Sequence, residues 1–231
     1  FLILLISPIF FTELILFKLF KKNCSNLSYQ FIIRFFIITG GKSNTLINNI
    51  IKVRKKIYFD NSNNNLHNFK INNNIENLNI NGFSINENFL ENEKIENIKE
   101  ELKKLKGRYS GDNVKDNSLT KFDLKQNINS TRFTYDSNDL LEIPSIQKLM
   151  LSDEILKTAQ EYLNSLPIID IVTAWWTFPT EKSDIHGAQF WHFDMDRTKW
   201  IKVFIYLNDV NIDGGPHCFI AKSHLDNGIN Y

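Results

Sequence analysis

The pattern in this chain with the clearest chemical potential lies in residues 189–196 (QFWHFDMD). His192 and Asp194 are two positions apart, so on a β-strand they project from the same face, whereas Phe193 points the other way. An imidazole and a carboxylate side by side on an inward, enclosed face can form two corners of a metal site, and we expect the pair on such a face. With a third histidine from a distant strand, they make the two-histidine, one-carboxylate triad of non-haem iron(II) oxygenases. The tripeptide also occurs by chance, as a histidine at a strand edge beside a surface aspartate.

Strands are the elements expected to position this pair. Residues 168–178 and 200–207 are rich in β-branched and aromatic side chains, which predicts two strands. Residues 211–216 (NIDGGP) have the composition of a turn, and residues 217–221 follow as a return strand. We therefore expect an antiparallel pair formed by residues 200–207 and 217–221.

Helices are expected earlier in the chain. Residues 87–106 carry apolar side chains at helical spacing, and Gly107 is placed to end that helix. A second helix is expected to begin after Ser152 and to end at Pro167. Helices followed by antiparallel strands indicate an α+β fold.

The segments between these elements are predicted to be less regular. The Asn-rich residues 61–81 are interpreted as a linker or surface loops, and residues 107–131 as loops. Residues 81–85 (NGFSI) suggest a short strand.

Five short segments from the His192–Asp194 stretch onward form a longer pattern: residues 190–196 (FWHFDMD), 199–207 (KWIKVFIYL), 208–210 (NDV), 214–217 (GGPH) and 222–224 (KSH). On these segments the chain resembles the phytanoyl-CoA dioxygenase family of iron(II)/2-oxoglutarate-dependent oxygenases. At residues 221–222, Ala-Lys stands where that family commonly has Pro-Gly. The likeness extends more weakly upstream and covers residues 76–231.

The resemblance implies a double-stranded β-helix (jelly-roll) barrel with flanking helices. It implies that His192, Asp194 and a later histidine bind Fe(II), with 2-oxoglutarate and dioxygen as co-substrates and a small organic molecule as the hydroxylated substrate. In the family, the third histidine and the arginine that binds 2-oxoglutarate lie on later strands. We expect both beyond Tyr231, so that the chain as given is a C-terminally truncated fragment with its last strands missing, which binds iron poorly and turns over no 2-oxoglutarate.

Further residues are weaker candidates for the site. Phe204 shares a predicted strand face with Lys202 and Tyr206, and the resemblance places it in the 2-oxoglutarate pocket; barrel core is an equal alternative. His217 and His224 are the downstream histidines, and the family places their counterparts in the hairpin rather than around the iron.

Other conspicuous side chains have plainer interpretations. Trp175 and Trp176 point to opposite faces of a strand, so at most one can reach a cavity, and core packing is favoured for both. Cys218 is expected to be a small buried side chain rather than a nucleophile. His186 could contact substrate or lie in an exposed loop.

Two other classes of protein remain as alternatives. One is a cupin-like metal-binding or small-molecule-binding module, although such modules usually have more than one histidine in the short motif. The other is a non-catalytic remnant or interaction domain. A zinc hydrolase is disfavoured because the sequence has neither an HExxH pattern nor a cysteine set.

Composition excludes several partners. The chain has 231 residues, with 27 basic and 26 acidic side chains, and its basic residues are scattered, so no nucleic-acid partner is expected. Cys24 and Cys218 lie far apart, which favours a reducing, cytoplasmic location over a disulfide framework. Residues 40–43 (GGKS) lack the earlier glycine of a phosphate-binding loop and are interpreted as a turn.

The N-terminal segment is the least assignable part. Residues 1–22 form a long apolar stretch, but Pro8, Glu13 and Lys18 interrupt it. A buried or amphipathic helix is therefore favoured over a membrane anchor. We divide the chain into an apolar N-terminal segment with an Asn-rich linker, residues 1–75, and an incomplete oxygenase domain, residues 76–231.

Overall fold

The structure is a computed structural model that describes residues 2–20, 25–52, 57, 65–111, 114, 118–123, 130–178, 190–194 and 197–225. These residues form an α+β fold with one small antiparallel sheet, as expected for the fold class. In chain order the elements are α1 (Leu2–Phe20), α2 (Asn26–Thr39), α3 (Lys42–Ile51), α4 (Asn65–Asn81), α5 (Asn92–Lys104), β1 (Lys106–Ser110), β2 (Thr120–Lys121), β3 (Arg132–Tyr135), α6 (Ser137–Leu141), α7 (Pro144–Met150), α8 (Asp153–Leu163) and β4 (Trp175–Thr177).

The first three helices pack around a small apolar cluster. Phe10 of α1 stacks on Phe31 of α2 with ring centroids 4.5 Å apart, and both side chains are buried. Ile47 of α3 belongs to the same cluster. Helix α2 ends at Gly40, whose φ of 57° is left-handed and therefore favours glycine. Gly40 and Gly41 thus form the predicted turn between α2 and α3, whereas Lys42 and Ser43 already belong to α3.

The Asn-rich segment forms a helix where we expected loops. Ile71, Asn74 and Leu78 of α4 are buried at a spacing of three and four residues, and α4 packs against α8. The Asn74 side-chain oxygen accepts a 2.8 Å hydrogen bond from the Ser84 hydroxyl. Asparagine has low helix propensity, and tertiary packing of a few apolar positions overrides it here. The boundary proposed at residue 75 falls within this helix.

The sheet has the strand order β2-β1-β3-β4, and every pairing is antiparallel. Phe133 of β3 is fully buried at its centre and contacts Tyr109 and Phe122 edge to face. Gly107 of β1 lies against this ring: a Cβ at Gly107 would be 2.6 Å from Phe133 Cε1 and 2.6 Å from the carbonyl oxygen of Thr134. Gly107 therefore allows β1 to approach β3 closely, which is a different role from the helix stop predicted for it.

Helices α5 and α8 form where the sequence predicts helices, but their ends differ from the predicted ends. Helix α5 ends at Lys104, directly before β1, so the strand pairing at Lys106 stops it. Ser152 occupies the N-cap position of α8 as predicted, although its side chain makes no capping hydrogen bond. The helix ends at Leu163, and Asn164 follows in a left-handed conformation before Pro167 is reached. Residues 82–85 are irregular rather than a strand, and the region predicted as loops contains β1 and β2.

The predicted C-terminal strands are mostly irregular. Within residues 168–178 only Trp175–Thr177 pairs, and the described residues 200–207 and 217–221 take part in no sheet ladder. A short 3-10 helix, Ile212–Gly214, forms the expected turn. A period-two pattern favours an extended backbone, but a strand exists only where a neighbour in register completes its hydrogen bonds.

Candidate metal centre

His192 and Asp194 lie side by side on the segment that follows the sheet. The Nε2 atom of His192 is 3.6 Å from Oδ1 of Asp194. The His192 Nδ1 atom is 2.8 Å from the Phe190 carbonyl oxygen, which can only accept a hydrogen bond. Nδ1 therefore carries the proton, and in the neutral ring the Nε2 lone pair is left facing the carboxylate.

Lys202 engages the other oxygen of the same carboxylate. Its Nζ donates to Oδ2 of Asp194 and also lies 4.8 Å from the centroid of the Trp200 ring. The two oxygens of Asp194 thus have separate neighbours, with Lys202 at Oδ2 and His192 at Oδ1. This arrangement presents a single oxygen beside the imidazole, which is how a monodentate carboxylate ligand is held.

The pair fits two adjacent corners of a metal site. Ligand atoms about 2.0–2.2 Å from one ion, at angles near 90–110°, are separated by about 3.0–3.5 Å. The observed 3.6 Å is close to this range, and a metal-binding histidine usually donates its other ring N–H to a carbonyl or carboxylate, as His192 does. Among the described residues, no cluster of three potential ligands is present. The side chains of His192 and Asp194 are 48% and 28% exposed, so the pair lies on the surface rather than on the enclosed face we expected.

The N-terminal helices hold the segment that carries the pair. The Phe193 ring packs against Phe36 of α2 with centroids 5.3 Å apart. Asn48 of α3 makes two hydrogen bonds with Thr198: its amide donates to the Thr198 carbonyl at 3.1 Å, and its side-chain oxygen accepts from the Thr198 hydroxyl at 2.7 Å. Sequence reasoning missed these contacts because nothing local connects positions 150 residues apart.

Lys199 and Arg197 add two further contacts to the same segment. The Lys199 ammonium donates to the Tyr162 carbonyl at 2.6 Å and lies over the Tyr162 ring, and burial lowers its pKa. Arg197 forms an ion pair with Asp170, with 2.8 Å between Nη2 and Oδ2. Residues 197–199 are therefore attached to α3, α8 and the segment before β4.

Phe204, Tyr206 and His217 form a small cluster beside Lys202. The rings of Phe204 and His217 are 4.0 Å apart, and the Tyr206 hydroxyl lies 2.6 Å from Nδ1 of His217. The His217 backbone N–H donates to the same hydroxyl at 3.0 Å. Partial burial lowers the pKa of His217, and the positive charges of Lys202 and Arg132 lower it further. When His217 is neutral, its Nδ1 can accept a hydrogen bond from the Tyr206 hydroxyl, so side chains join the two predicted strand segments.

The other downstream histidine lies elsewhere. The Nε2 atom of His224 is 3.1 Å from the Asn79 carbonyl oxygen, and the Lys222 N–H donates to the Asn81 carbonyl at 2.9 Å. Residues 222–224 therefore pack on the C-terminal end of α4. Described contacts bring neither His217 nor His224 to the His192–Asp194 pair.

The structure shows the surroundings of Trp175, Trp176 and Cys218. Trp176 donates to the Tyr135 hydroxyl at 2.9 Å and stacks on Phe122 in the core, whereas Trp175 lies under the Arg132 guanidinium. The opposite-face prediction is consistent with this. Cys218 is exposed, so its predicted burial is wrong: without a sheet partner, its segment has no inner face. Cys24 and His186 lie outside the described residues.

Comparison of the chain with family models, curated proteins and solved structures gave no match.

Proposed function

We propose that this chain is part of an iron(II)- and 2-oxoglutarate-dependent dioxygenase that hydroxylates a small organic substrate. One observation carries the proposal: the free Nε2 of His192 and one oxygen of Asp194 converge at 3.6 Å, while Nδ1 is tied to a backbone carbonyl. The finer fold assignment, a double-stranded β-helix barrel whose later strands cover the exposed pair, is part of the same proposal.

The roles of the residues follow from their contacts. His192 supplies the Nε2 atom of its imidazole, and Asp194 supplies Oδ1 while Lys202 contacts Oδ2. The proposal further requires a third histidine at the metal and an arginine for 2-oxoglutarate, and it assigns Phe204 to the co-substrate pocket. Iron(II) bound there would supply dioxygen activation coupled to the oxidative decarboxylation of 2-oxoglutarate.

Cobalt(II) binding to the 231-residue chain, measured by calorimetry, tests the two-ligand site. We expect weak binding that falls about tenfold or more in Asp194→Asn and in His192→Gln. Asp170→Asn is the matched control, because Asp170 is an exposed, ion-paired carboxylate outside the site. Equal affinity in all four proteins would refute the assignment. We also expect no 2-oxoglutarate decarboxylation by this chain; turnover abolished by Asp194→Ala would show that the third ligand lies within it.

The contact between Lys202 and Asp194 also favours a second candidate, a non-catalytic domain in which this is a structural ion pair. Lys202→Met separates the two. If a metal binds Asp194, removal of the neighbouring ammonium charge raises cobalt affinity. If the pair is only structural, neither the parent protein nor Lys202→Met binds cobalt detectably.

A further inference from the structure

Helix α1 has an outward apolar face as well as an inward one. Phe10 and Leu14 face the apolar cluster that α1 shares with α2 and α3, and they are 2% and 7% exposed. Phe11, Ile15 and Leu19, spaced four residues apart on another side of the helix, are 50%, 58% and 67% exposed. A helix that is apolar on all sides normally has both sides covered. The sequence favoured burial or amphipathicity for this helix, and the structure leaves one apolar face uncovered within the described residues.

Several polar groups of the hairpin formed by α1 and α2 have hydrogen-bond partners within it. The Thr12 hydroxyl donates to the Pro8 carbonyl at 2.9 Å. The Glu13 carboxylate accepts from the Ser25 backbone N–H at 2.7 Å and from the Ser28 hydroxyl at 2.6 Å. This part of the surface can therefore leave water without stranding these groups, which is the main obstacle to burial in an apolar medium.

Charge is distributed unevenly along the chain. Residues 1–42 carry five basic residues and one acidic residue, a net charge of +4, whereas the remainder carries −3. Arg34 of α2 and Lys42 of α3 are exposed. None of the described helices is long and apolar enough to cross a membrane.

We propose that the outward face of α1 binds the interface of an anionic membrane, with the exposed Arg34 and Lys42 at the headgroups. Apolar side chains flanked by cations are the combination that such interfaces bind. A second copy of the chain is a less favourable partner for this face, because two N-terminal segments of net charge +4 would repel each other. This proposal is independent of the metal centre.

Sedimentation of the 231-residue chain with lipid vesicles tests the proposal. We expect binding to phosphatidylcholine vesicles that contain phosphatidylserine, weaker binding to phosphatidylcholine alone, and weaker binding at high salt. Ile15→Asn with Leu19→Asn should lower the partition coefficient about tenfold or more. Arg34→Gln with Lys42→Gln should lower it about tenfold on the serine-containing vesicles only.

The matched control is Ile168→Asn with Ile212→Asn, since these isoleucines are 81% and 86% exposed outside the hairpin. The control should bind vesicles as the parent does, and circular dichroism should show the same helix content in all proteins. An equal loss in the control would overturn the proposal, as would binding that is sensitive to salt but not to the Ile15 and Leu19 changes. Absence of vesicle binding, with a dimer in solution that Ile15→Asn dissociates, would assign the face to self-association instead.

Discussion

At the scale of single residues, Asp194, Lys202 and His217 are linked by charge. Lys202 donates to Asp194 and its positive charge also lowers the pKa of His217, although burial is the larger cause. The alternation along residues 200–207 places Lys202, Phe204 and Tyr206 on one side of the chain. Lys202 contacts Asp194, and Phe204 and Tyr206 both contact His217. The face predicted from sequence thus persists without a sheet ladder.

Replacement of Lys202 should raise the pKa of His217. Lys202→Gln removes a positive charge near His217, so protonation of the His217 imidazole becomes more favourable. Titration of the His217 ring followed by NMR measures this directly. Lys148→Gln, an exposed lysine on α7, serves as the control and should leave the titration unchanged. A His217 pKa that is the same in both variants would show that Lys202 has no electrostatic influence there.

Protonation of His217 should destabilise the fold. Its folded-state pKa lies below the ordinary value of 6.5, so between the two pKa values the unfolded chain binds more protons. The stability contributed by neutral His217 is therefore present above pH 6.5 and lost as the pH falls through the folded-state pKa. Urea unfolding above and below pH 6.5 should show a smaller decline in His217→Asn than in the parent. An identical decline would exclude His217 as a source of the pH dependence.

At the scale of elements, the sheet depends on close contact between β1 and β3. Gly107 allows this contact because its missing side chain leaves room for the Phe133 ring and the Thr134 carbonyl. The aromatic side chains around Phe133 then fill the space between the sheet and the helices α5 to α7.

Gly107→Ala should reduce the free energy of unfolding by about 1–3 kcal/mol, because the added methyl group overpacks a site bounded by backbone. Urea denaturation of the variant measures the loss. Gly214→Ala is the comparison: there the added methyl group meets only side-chain atoms, at 3.2 Å and 3.4 Å, so the loss should be clearly smaller. Equal losses would contradict the proposed role of Gly107.

At the scale of the whole molecule, the first three helices are attached to the segment that carries the candidate ligands. Phe36 packs on Phe193, and Asn48 bonds twice to Thr198. The N-terminal part therefore helps to position the candidate site.

A double-mutant cycle with Asn48→Ala and Thr198→Ala tests this attachment. The coupling free energy in urea unfolding should be about 0.5–1.5 kcal/mol, the usual contribution of a partly buried hydrogen bond. The ion pair of Lys94 and Glu91 at the start of α5 provides a comparison, with about 0.3–0.5 kcal/mol expected for an exposed helical pair. Strict additivity of the Asn48 and Thr198 changes would mean that the helices do not hold the segment.

Local sequence was sufficient wherever neighbours along the chain decide the outcome. The position of α5, the N-cap of α8 at Ser152, the turn at Gly40 and the proximity of His192 to Asp194 all depend on residues a few positions apart. Backbone sterics, capping and side-chain spacing act at that range.

Tertiary contacts decided the remainder. The helix of α4 was not predictable from its asparagines, because its stability comes from burial of Ile71 and Leu78. Residues 200–207 have a strand pattern but no ladder, since backbone hydrogen bonds need a partner in register that composition cannot supply. The same holds for the site: the spacing of His192 and Asp194 brings the pair together, whereas the ammonium of Lys202 and the supports from Phe36 and Asn48 arise only when distant segments meet.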